Sequence, residues 1–366
     1  MAKLGEVCLL KAGKFVSAND ISPEYNKGLY PCFGGNGIRG YVADYTHDGE
    51  FPLIGRQGAL CGNVNLASGK FHATEHAVVV QPKIEMNVQW LYYALNAMNL
   101  GQYATGAAQP GLAVSKLETL SIEIPNISEQ NKIAQTLYKV EQLVNFRKQQ
   151  LAKLDELVKA RFVEMFGEPS SNPMGWLQTT VGAECYYIKD GPHKSLTDVG
   201  MENGYPFISV RNIVNGYIDF STAKYISEAD YKDAIKKCCP EKGDILYSKG
   251  GTTGIAKLVD IDIKFANWVH LAVLKFNHNE FNGSFFEKML NCDYCYKQSQ
   301  MLTKGIANRD LVLSAMAQIK IYKPPILLQN QFAAFVERID QQKQTVQQSL
   351  EKLEVMKKAR MQEYFG

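Results

Sequence analysis

The stretch KARFVEMFG at residues 159–167 returns as KARMQEYFG at residues 358–366. The two stretches lie 199 positions apart, and the same offset aligns residues 106–167 with residues 305–366 over 62 positions without a gap. The matched residues include Gly106 with Gly305, Leu112 with Leu311, Gln130 with Gln329, Asn131 with Asn330 and the two Lys-Ala-Arg triplets. A repeat of this length predicts two copies of one structural unit.

Each copy carries apolar residues at alternating steps of four and three, a pattern typical of a coiled-coil seam. Polar residues such as Arg147 and Lys343 interrupt the pattern. Prolines before each pattern and Gly167 after the first predict long helices within residues 126–167 and 326–366. About 38 helical residues in each correspond to roughly 57 Å. The predicted seam consists of Ile133, Leu137, Val140, Val144, Leu151, Leu154, Val158, Phe332, Val336, Ile339, Val346, Leu350 and Leu353.

Two equivalent helices in one chain can bury their apolar seams against each other. We therefore expect an antiparallel intramolecular coiled coil with pseudo-twofold symmetry. Pairing with another chain and packing on each helix's own domain are the alternatives. The leftover aromatic residues Phe146, Phe162 and Phe166 could dock a partner or pack within the chain.

The globular segments before the helices span residues 1–125 and 176–325, and residues 168–175 form a linker. The apolar runs HAVVVQP at 76–82 and HLAVLKF at 270–276 predict short strands, so the fold class is α+β with two α/β domains. FHATEH at 71–76 also resembles FANWVH at 265–270. A shared frame with different side chains is what two readers of different targets would need.

Composition limits the function classes. With 366 residues, 46% apolar and 21% charged, the chain has the make-up of a globular protein with more than one domain. The net charge of +3 does not by itself indicate nucleic acid, so any DNA affinity must come from local patches or a partner. No apolar run is long enough to span a membrane, and we expect a cytoplasmic protein.

Eight cysteines are expected as reduced thiols. Cys292-x-x-Cys295 has no second CxxC at zinc-ribbon spacing, so no metal site is predicted. No small-molecule cofactor is expected either.

The segments TGAAQPGLAVSKLETLSIEIP and SEQNKIAQTL, the basic helix ending in KARFVEMFG, and the order domain, helix, domain, helix together resemble the specificity (S) subunit of type I restriction-modification systems. The second copy departs from the motif, with IANR for AAQP and LLQNQF for the Ser-Glu-Gln run. The resemblance covers the whole chain.

The resemblance implies that each globular segment is a target recognition domain that reads one half of a split DNA site. It implies that the helix pair spaces the two halves and docks two methyltransferase subunits, which in turn bind restriction subunits. The chain itself would then be a non-catalytic subunit.

Candidate DNA contacts follow from base chemistry, because Arg suits guanine and Asn or Gln suits adenine. Gly-rich loops can also approach DNA closely. The candidates in the first domain are Arg39, Arg56, Gln57 and Lys70. In the second domain they are Lys194, Arg211, Asn212, Lys249, Thr252, Thr253, Asn267 and Arg309. For each of them a solvated charge or a strand-edge polar group is the competing interpretation.

Enzyme alternatives have less support. CFGGNG at 32–37 lacks the βαβ frame of a dinucleotide site, SKGGTTG lacks the Walker A ending, and both are interpreted as turns. No Asn/Asp-Pro-Pro-aromatic loop of an adenine methyltransferase is present. Asp244 with Asp262 and Lys264 leaves a metal-dependent nuclease as an alternative, and a symmetric scaffold without DNA readout is another.

Overall fold

The computed structural model describes residues 1–58, 60–106, 110–306 and 308–366. Residues 107–109 of the TGAAQPG motif therefore lie outside the described residues, as do residues 59 and 307. The chain divides into two compact units. The first consists of Met1–Gln150 with Val346–Gly366, and the second of Leu151–Thr345. None of the described helices is both long enough and apolar enough to cross a membrane.

Among its described residues, the first unit contains ten strands, three short α-helices and the first part of a long helix, together with the end of a second long helix whose range is given below. In chain order these are β1 (Ala2–Lys3), α1 (Leu4–Val7), β2 (Cys8–Ala12), β3 (Tyr30–Gly34), β4 (Gly37–Val42), β5 (His47–Asp48), β6 (Phe51–Gly55), β7 (Val64–Ala67), β8 (Lys70–Ala73), β9 (Ala77–Pro82), α2 (Val88–Ala97), α3 (Val114–Glu118), β10 (Ser121–Ile122) and α4 (Ile127–Phe166).

The second unit begins within α4 and ends within a second long helix. Its further elements are β11 (Leu177–Thr180), α5 (Val181–Glu184), β12 (Cys185–Asp190), β13 (Tyr205–Ile208), β14 (Lys224–Ile226), α6 (Glu228–Lys237), β15 (Ile245–Ser248), β16 (Ala256–Leu258), β17 (Ala266–Asn267), β18 (Leu271–Phe276), α7 (Gly283–Asn291), α8 (Asp293–Leu302), α9 (Leu313–Met316), β19 (Lys320–Lys323) and α10 (Ile326–Phe365).

The two units share a strand order. One sheet runs β2-β9-β6-β7 in the first unit and β12-β18-β15-β16 in the second. The other sheet contains a parallel pair in both units, β3 with β8 and β13 with β17. The predicted strands HAVVVQP and HLAVLKF form β9 and β18, which lie inside the first sheet and are apolar almost throughout because both faces are covered.

In the first unit, α4 and the end of α10 contact each other through polar pairs. Arg147 Nε donates to Ser349 Oγ at 3.1 Å, and Lys357 Nζ donates to Glu141 Oε1 at 2.6 Å. Residue numbers rise along one helix as they fall along the other. Lys357 and Arg147 are residues that interrupt the apolar pattern, and each finds a polar partner.

In the second unit, Lys343 interrupts the pattern and its Nζ lies 2.7 Å from Asp155 Oδ1. Phe162 and Phe166 are buried against Phe285 of α7 and Phe332 of α10. These two aromatic residues therefore pack within the chain. Phe146, by contrast, is 58% exposed.

The predicted seam residues are all buried or half-buried. α4 ends at Gly167, whose φ of +77° is the left-handed conformation that glycine adopts at a helix C-terminus. The Gly167 N–H donates to the Val163 carbonyl at 2.8 Å.

The start of α4 is held to its unit by what we call the Gln-Asn clamp, formed by Gln130, Asn131 and Asn87. Gln130 Oε1 accepts from the Asn87 backbone N–H at 2.9 Å, and Gln130 Nε2 donates to the Pro125 carbonyl at 2.8 Å. Asn131 Oδ1 accepts from Asn87 Nδ2 at 2.7 Å. Asn87 also caps α2 through a 2.9 Å bond from Trp90 N–H. One buried glutamine thus joins two helices and the preceding strand segment.

The second unit has the same clamp, formed by Gln329, Asn330 and Asn282. Gln329 Oε1 accepts from the Asn282 N–H at 2.9 Å, and Gln329 Nε2 donates to the Pro324 carbonyl at 2.8 Å. Asn330 Oδ1 accepts from Asn282 Nδ2 at 2.9 Å. These bonds give a physical reason for the Gln-Asn identity in the sequence repeat.

We predict that Gln329→Leu lowers the free energy of unfolding by about 1–3 kcal/mol, because leucine keeps the volume but leaves the buried Asn282 N–H and Pro324 carbonyl without partners. Urea denaturation of the full chain measures this. Gln344→Leu, an exposed glutamine on the same helix, is the matched control and should change stability by about 0.5 kcal/mol or less. Equal losses in the two variants would contradict the role of the clamp.

Candidate nucleic-acid interface

The loops that follow β6 and β15 have the same backbone hydrogen bonds. Arg56 N–H donates to the His76 carbonyl at 3.0 Å, and the Arg56 carbonyl accepts from Leu112 N–H at 2.9 Å. Lys249 N–H donates to the His270 carbonyl at 2.8 Å, and the Lys249 carbonyl accepts from Leu311 N–H at 2.7 Å. A cationic residue therefore occupies the same place in both units.

A second segment lies beside each of these loops. In the first unit Gln57 forms a bridge with Gly111, and in the second Gly250 forms a bridge with Asp310. Gly58 N–H donates to the Pro110 carbonyl and Gly251 N–H to the Arg309 carbonyl, both at 3.1 Å. We call residues 56–58 with 110–112, and residues 249–251 with 309–311, the loop pairs of the two units.

The ends of β8 and β17 adjoin the loop pairs and are also equivalent. Thr74 N–H donates to the Phe33 carbonyl, and Trp268 N–H donates to the Ile208 carbonyl, both at 2.9 Å. Each bond continues the parallel pairing by one residue past the strand. Thr74 and Trp268 therefore occupy corresponding positions, two residues before the histidines whose carbonyls hold the loop pairs.

Buried polar atoms without partners concentrate at these strand ends. Among the described residues, nine buried side-chain nitrogen or oxygen atoms have no hydrogen-bond partner, and seven of them lie on residues 56, 72–76 and 267–268. The seven are Arg56 Nε, His72 Nδ1, Thr74 Oγ1, Glu75 Oε2, His76 Nδ1, Asn267 Oδ1 and Trp268 Nε1. A buried polar group without a partner is costly, so we take these strand ends and their loops as the candidate interface.

The electrostatics of the two loop pairs differ. Lys249 is only 6% exposed, and its Nζ lies 3.0 Å from Asp310 Oδ1 and 3.5 Å from Asp190 Oδ2. Asp190 also pairs with Lys237 at 2.7 Å. Arg56 is half-buried, and no carboxylate of the described residues forms an ion pair with it. The cation of the first loop pair is thus uncompensated within its unit, whereas that of the second is neutralised.

The predicted contacts of the first unit lie on or near its loop pair, with one exception. Arg39 is exposed on β4 and lies over Gly34, where an added Cβ would come within 2.5 Å of the arginine Cδ. The adjoining Gly35 approaches Gly55 so closely that a Cβ on Gly55 would lie 1.9 Å from the Gly35 carbonyl oxygen. CFGGNG is accordingly a tight turn between β3 and β4. Lys70 lies apart, over the ring of Tyr45.

The second unit brings Lys249, Thr252, Thr253 and Arg309 together. Thr252 is exposed, while Thr253 is buried and shares a 2.9 Å hydrogen bond between its hydroxyl and that of Thr303. Arg309 is exposed and contacts Gln300. Asn267 is fully buried at the neighbouring strand end, where its Nδ2 donates to the Leu271 carbonyl at 2.7 Å.

The remaining predicted residues lie on other elements and have partners there. Lys194 pairs with Asp233 of α6 at 3.0 Å. Arg211 Nη2 donates to the Thr222 carbonyl at 2.8 Å. Asn212 is buried and closes the same loop, with its Oδ1 accepting from Ser209 N–H at 2.8 Å. In this structure Asn212 supports a loop and does not present a free edge.

Sequence reasoning missed Thr74, Trp268, Asp190 and Asp310. The alignment of FHATEH with FANWVH was the available signal, because it sets Thr74 opposite Trp268 at a place where the residue types diverge. The roles of Asp190 and Asp310 could not be read in this way, since they depend on the fold bringing them to Lys249.

The carboxylate considered for a nuclease has a structural partner. Asp244 is buried and its Oδ2 lies 2.7 Å from Lys275 Nζ. Burial raises the pKa of Asp244, and the lysine opposes that rise. Asp262 is exposed. Within the described ranges, no group of three or more His, Cys, Asp or Glu residues is placed to hold a metal ion.

The family model for the type I restriction modification DNA specificity domain matches residues 1–156 and 188–355. The specificity subunit of the type I restriction enzyme EcoprrI of Escherichia coli is 53% identical over 143 residues, which is 39% of this chain and 36% of that protein. A putative type I restriction enzyme specificity subunit of Haemophilus influenzae is 25% identical over 343 residues, covering 86% of this chain and 80% of that protein.

Two solved structures share the fold. The S subunit of a type I restriction-modification system from M. genitalium gives a TM-score of 0.65 at 19% identity, with 98% of this chain and 94% of that chain covered. A second solved chain comes from a structure on complex assembly and conformational transition of the type I R-M system. It gives a TM-score of 0.54 at 16% identity, with 100% of this chain and 96% of that chain covered.

We predict that Lys249 and Asp310 are energetically coupled. A double-mutant cycle of Lys249→Met and Asp310→Asn, followed by urea denaturation, should give a coupling energy on the order of 1 kcal/mol, because the lysine is buried and hydrogen-bonded. The same cycle on the exposed pair Lys194 and Asp233 is the control and should show no measurable coupling. A coupling for Lys249 as small as that of the control would contradict the ion-pair network.

Proposed function

This chain belongs to the family of type I restriction modification DNA specificity domains, and we propose on that premise that it selects the bipartite DNA site on which a type I restriction-modification complex acts. Each unit contributes one target recognition domain. The first domain spans residues 1–125 and the second residues 176–325, with residues 168–175 as the linker. The chain carries no catalytic residue of its own in this proposal.

One observation carries the proposal. In both units, buried polar atoms without partners lie at the same strand end, beside a loop with a basic residue at the same backbone position, the half-buried Arg56 or the buried Lys249. DNA bases offer donors and acceptors along their major-groove edges, and Arg, Thr and His side chains pair with such edges. Contact with bases would supply partners for the half-buried Arg56 side chain, while the fully buried Thr74 lies beneath that surface.

Side chains of the two domains differ while the backbone hydrogen bonds agree. Thr74 stands where the second domain has Trp268, and Arg56 stands where it has Lys249. We therefore assign different half-sites to the two domains. Among the candidate contacts, Arg39, Arg56, Gln57, Lys70, Lys194, Arg211, Thr252 and Arg309 have exposed or half-buried side chains that could contact DNA. Asn212, Lys249, Thr253 and Asn267 are assigned supporting positions under that surface.

The long helices are assigned as an antiparallel coiled coil with pseudo-twofold symmetry. The apolar seam, the clamp repeated in both units and the opposite order of the polar contacts support this assignment. Each helix spans 40 residues, or about 60 Å at 1.5 Å per residue. Such a pair would hold the two recognition domains apart by a fixed length of DNA.

The expected partners are double-stranded DNA, two methyltransferase subunits docked on the helix pair, and restriction subunits reached through the complex. The exposed Phe146 on α4 is a candidate for the methyltransferase contact. A cytoplasmic location follows from the same assignment, because host DNA and the partner subunits are found there.

We predict that Arg56→Ala relaxes recognition in one half-site only. A bidentate arginine-guanine pair contributes about 1–3 kcal/mol of discrimination, so the preference for one base over the others should fall by about 5- to 150-fold at one base pair. Sequencing of methylated adenines in cells carrying the variant and its partner subunits measures this.

Arg338→Ala is the matched control for Arg56→Ala, because Arg338 is an exposed arginine on α10. It should leave the methylated motif intact. An unchanged motif in the Arg56 variant would exclude Arg56 as a base contact. Retention of the full motif in variants of both loop pairs would favour a scaffold without DNA readout.

We also predict that four residues inserted after Gln150 and after Ser349, which are equivalent positions of the two helices, lengthen the unread spacer. Four residues add about 6 Å of helix, which corresponds to about two base pairs at 3.4 Å each. The same methylation mapping reads the spacer directly. An unaltered spacer with active methylation would refute the role of the helices in setting the distance.

A further inference from the structure

The Cys292-x-x-Cys295 pair lies at the start of α8. Cys292 is the N-cap residue, with φ −69° and ψ 156°, and Cys295 is the third residue of the helix. Residues three apart on a helix lie on the same face, so Cys292 and Cys295 lie on the same side of α8. Cys292 is half-buried, whereas Cys295 is completely buried. The Cys292 thiol can therefore contact a small solute, while the Cys295 thiol can contact only neighbouring groups of the protein.

The two thiols are chemically unequal. The neighbouring Cys295 thiol lowers the pKa of Cys292, and the backbone N–H groups of Cys295 and Tyr294 act in the same direction against burial and the charge of Glu168. The pKa of Cys295 is raised, first by the neighbouring Cys292 and then by burial. This is the pattern of an attacking thiol with a resolving thiol behind it.

The other cysteines differ from Cys292. Burial raises the pKa of the Cys8 and Cys238 thiols to about 11 and that of Cys185 to about 12. The pKa values of Cys32, Cys61 and Cys239 are raised for the same reason. Among the eight cysteines, only Cys292 has a lowered pKa, so only Cys292 is poised to react as a thiolate.

The far end of α8 supports the second loop pair. Gln300 Nε2 donates to the Thr253 carbonyl at 3.0 Å, and Gln300 Oε1 accepts from Arg309. Thr303 shares a hydrogen bond with Thr253, and Gly254 packs on Ser299, where an added Cβ would lie 2.2 Å from the Ser299 hydroxyl. Any shift of α8 therefore reaches the residues that hold Thr253 and Arg309 in place.

We propose that Cys292 and Cys295 form a reversible disulfide that repositions α8 and loosens the loop pair of the second unit. The oxidant is a small-molecule disulfide such as glutathione disulfide. Cys292 thiolate attacks one of its sulfurs and releases one glutathione thiolate. Cys295 then attacks the Cys292 sulfur and releases the second glutathione, which takes up the Cys295 proton. Two protein thiols are oxidised, and one glutathione disulfide is reduced to two thiols.

Oxidation also removes a bond that anchors the helix. In the reduced chain the Cys295 thiol donates to the Lys320 carbonyl of β19 at 3.6 Å, and a disulfide has no hydrogen to donate. The first unit has no CxxC pair, since its cysteines are Cys8, Cys32 and Cys61. The consequence for DNA, loss of reading in the second half-site only, rests on the proposed function. The thiol chemistry and the loosening of the loop do not.

The test uses the full chain equilibrated with glutathione mixtures from reduced to oxidised, quenched in acid, denatured and alkylated for peptide mass spectrometry. Cys292 and Cys295 should become resistant to alkylation together, before any other cysteine. Cys295→Ser should trap a glutathione adduct on Cys292, and Cys292→Ser should leave Cys295 as a free thiol. A Cys292 that stays reduced, or gains no adduct in the Cys295→Ser chain, overturns the proposal.

Hydrogen-deuterium exchange of the reduced and oxidised chains tests the coupling to the loop. Amides of residues 250–254 should exchange about fivefold faster after oxidation, the effect of losing roughly one net hydrogen bond. Residues 60–63 of the first unit are the internal control and should not change. A disulfide that forms without altering residues 250–254 overturns the coupling, whatever the chain does with DNA.

Discussion

A single buried glutamine at the start of each long helix holds the domain and the helix together. Gln130 and Gln329 each accept a hydrogen bond from a helix-capping asparagine and donate one to a proline carbonyl. The amide is suited to this place because it offers both an acceptor and a donor. A carboxylate could accept but not donate, and a lysine could donate but not accept. The angle between each helix and its own domain depends on this residue.

The clamp also ties the start of each long helix to a short helix of the same domain. Asn87 and Asn282 each form two sets of hydrogen bonds. Their backbone N–H groups donate to the glutamine, and their side-chain oxygens accept from the first turn of α2 or α7. Because the short helix and the long helix share these asparagines, the short helix cannot move without breaking bonds to the long one. Trp90 and Phe285 on the short helices are in turn buried in their cores. Each core and the start of its long helix are thus linked by shared hydrogen bonds.

Most of the fold could be predicted from the sequence repeat and from the apolar runs. Identical spacing of Gln130, Asn131 and the apolar steps predicted both long helices, and the continuous apolar runs predicted β9 and β18, because these features depend on neighbours close in sequence. The candidate interface was predicted less completely. Arg56 and Gln57 could be found from a Gly-rich loop, but the burial of Lys249 between Asp190 and Asp310 joins residues 59 and 61 positions away. Nothing local distinguishes such a lysine from an exposed one, and the same holds for Asn212 and Asn267.

The backbone bonds of the first loop pair leave the side chain at residue 56 out of the scaffold, whereas in the second loop pair Lys249 adds a buried ion pair with Asp310. Residue 56 is held in the frame through its own N–H and carbonyl groups, which every residue except proline possesses. Evolution can therefore replace the side chain at residue 56 by point mutation without dismantling the frame beneath it. Under the proposed role, a lineage could acquire a new target sequence in single steps, each leaving a folded protein on which selection can act.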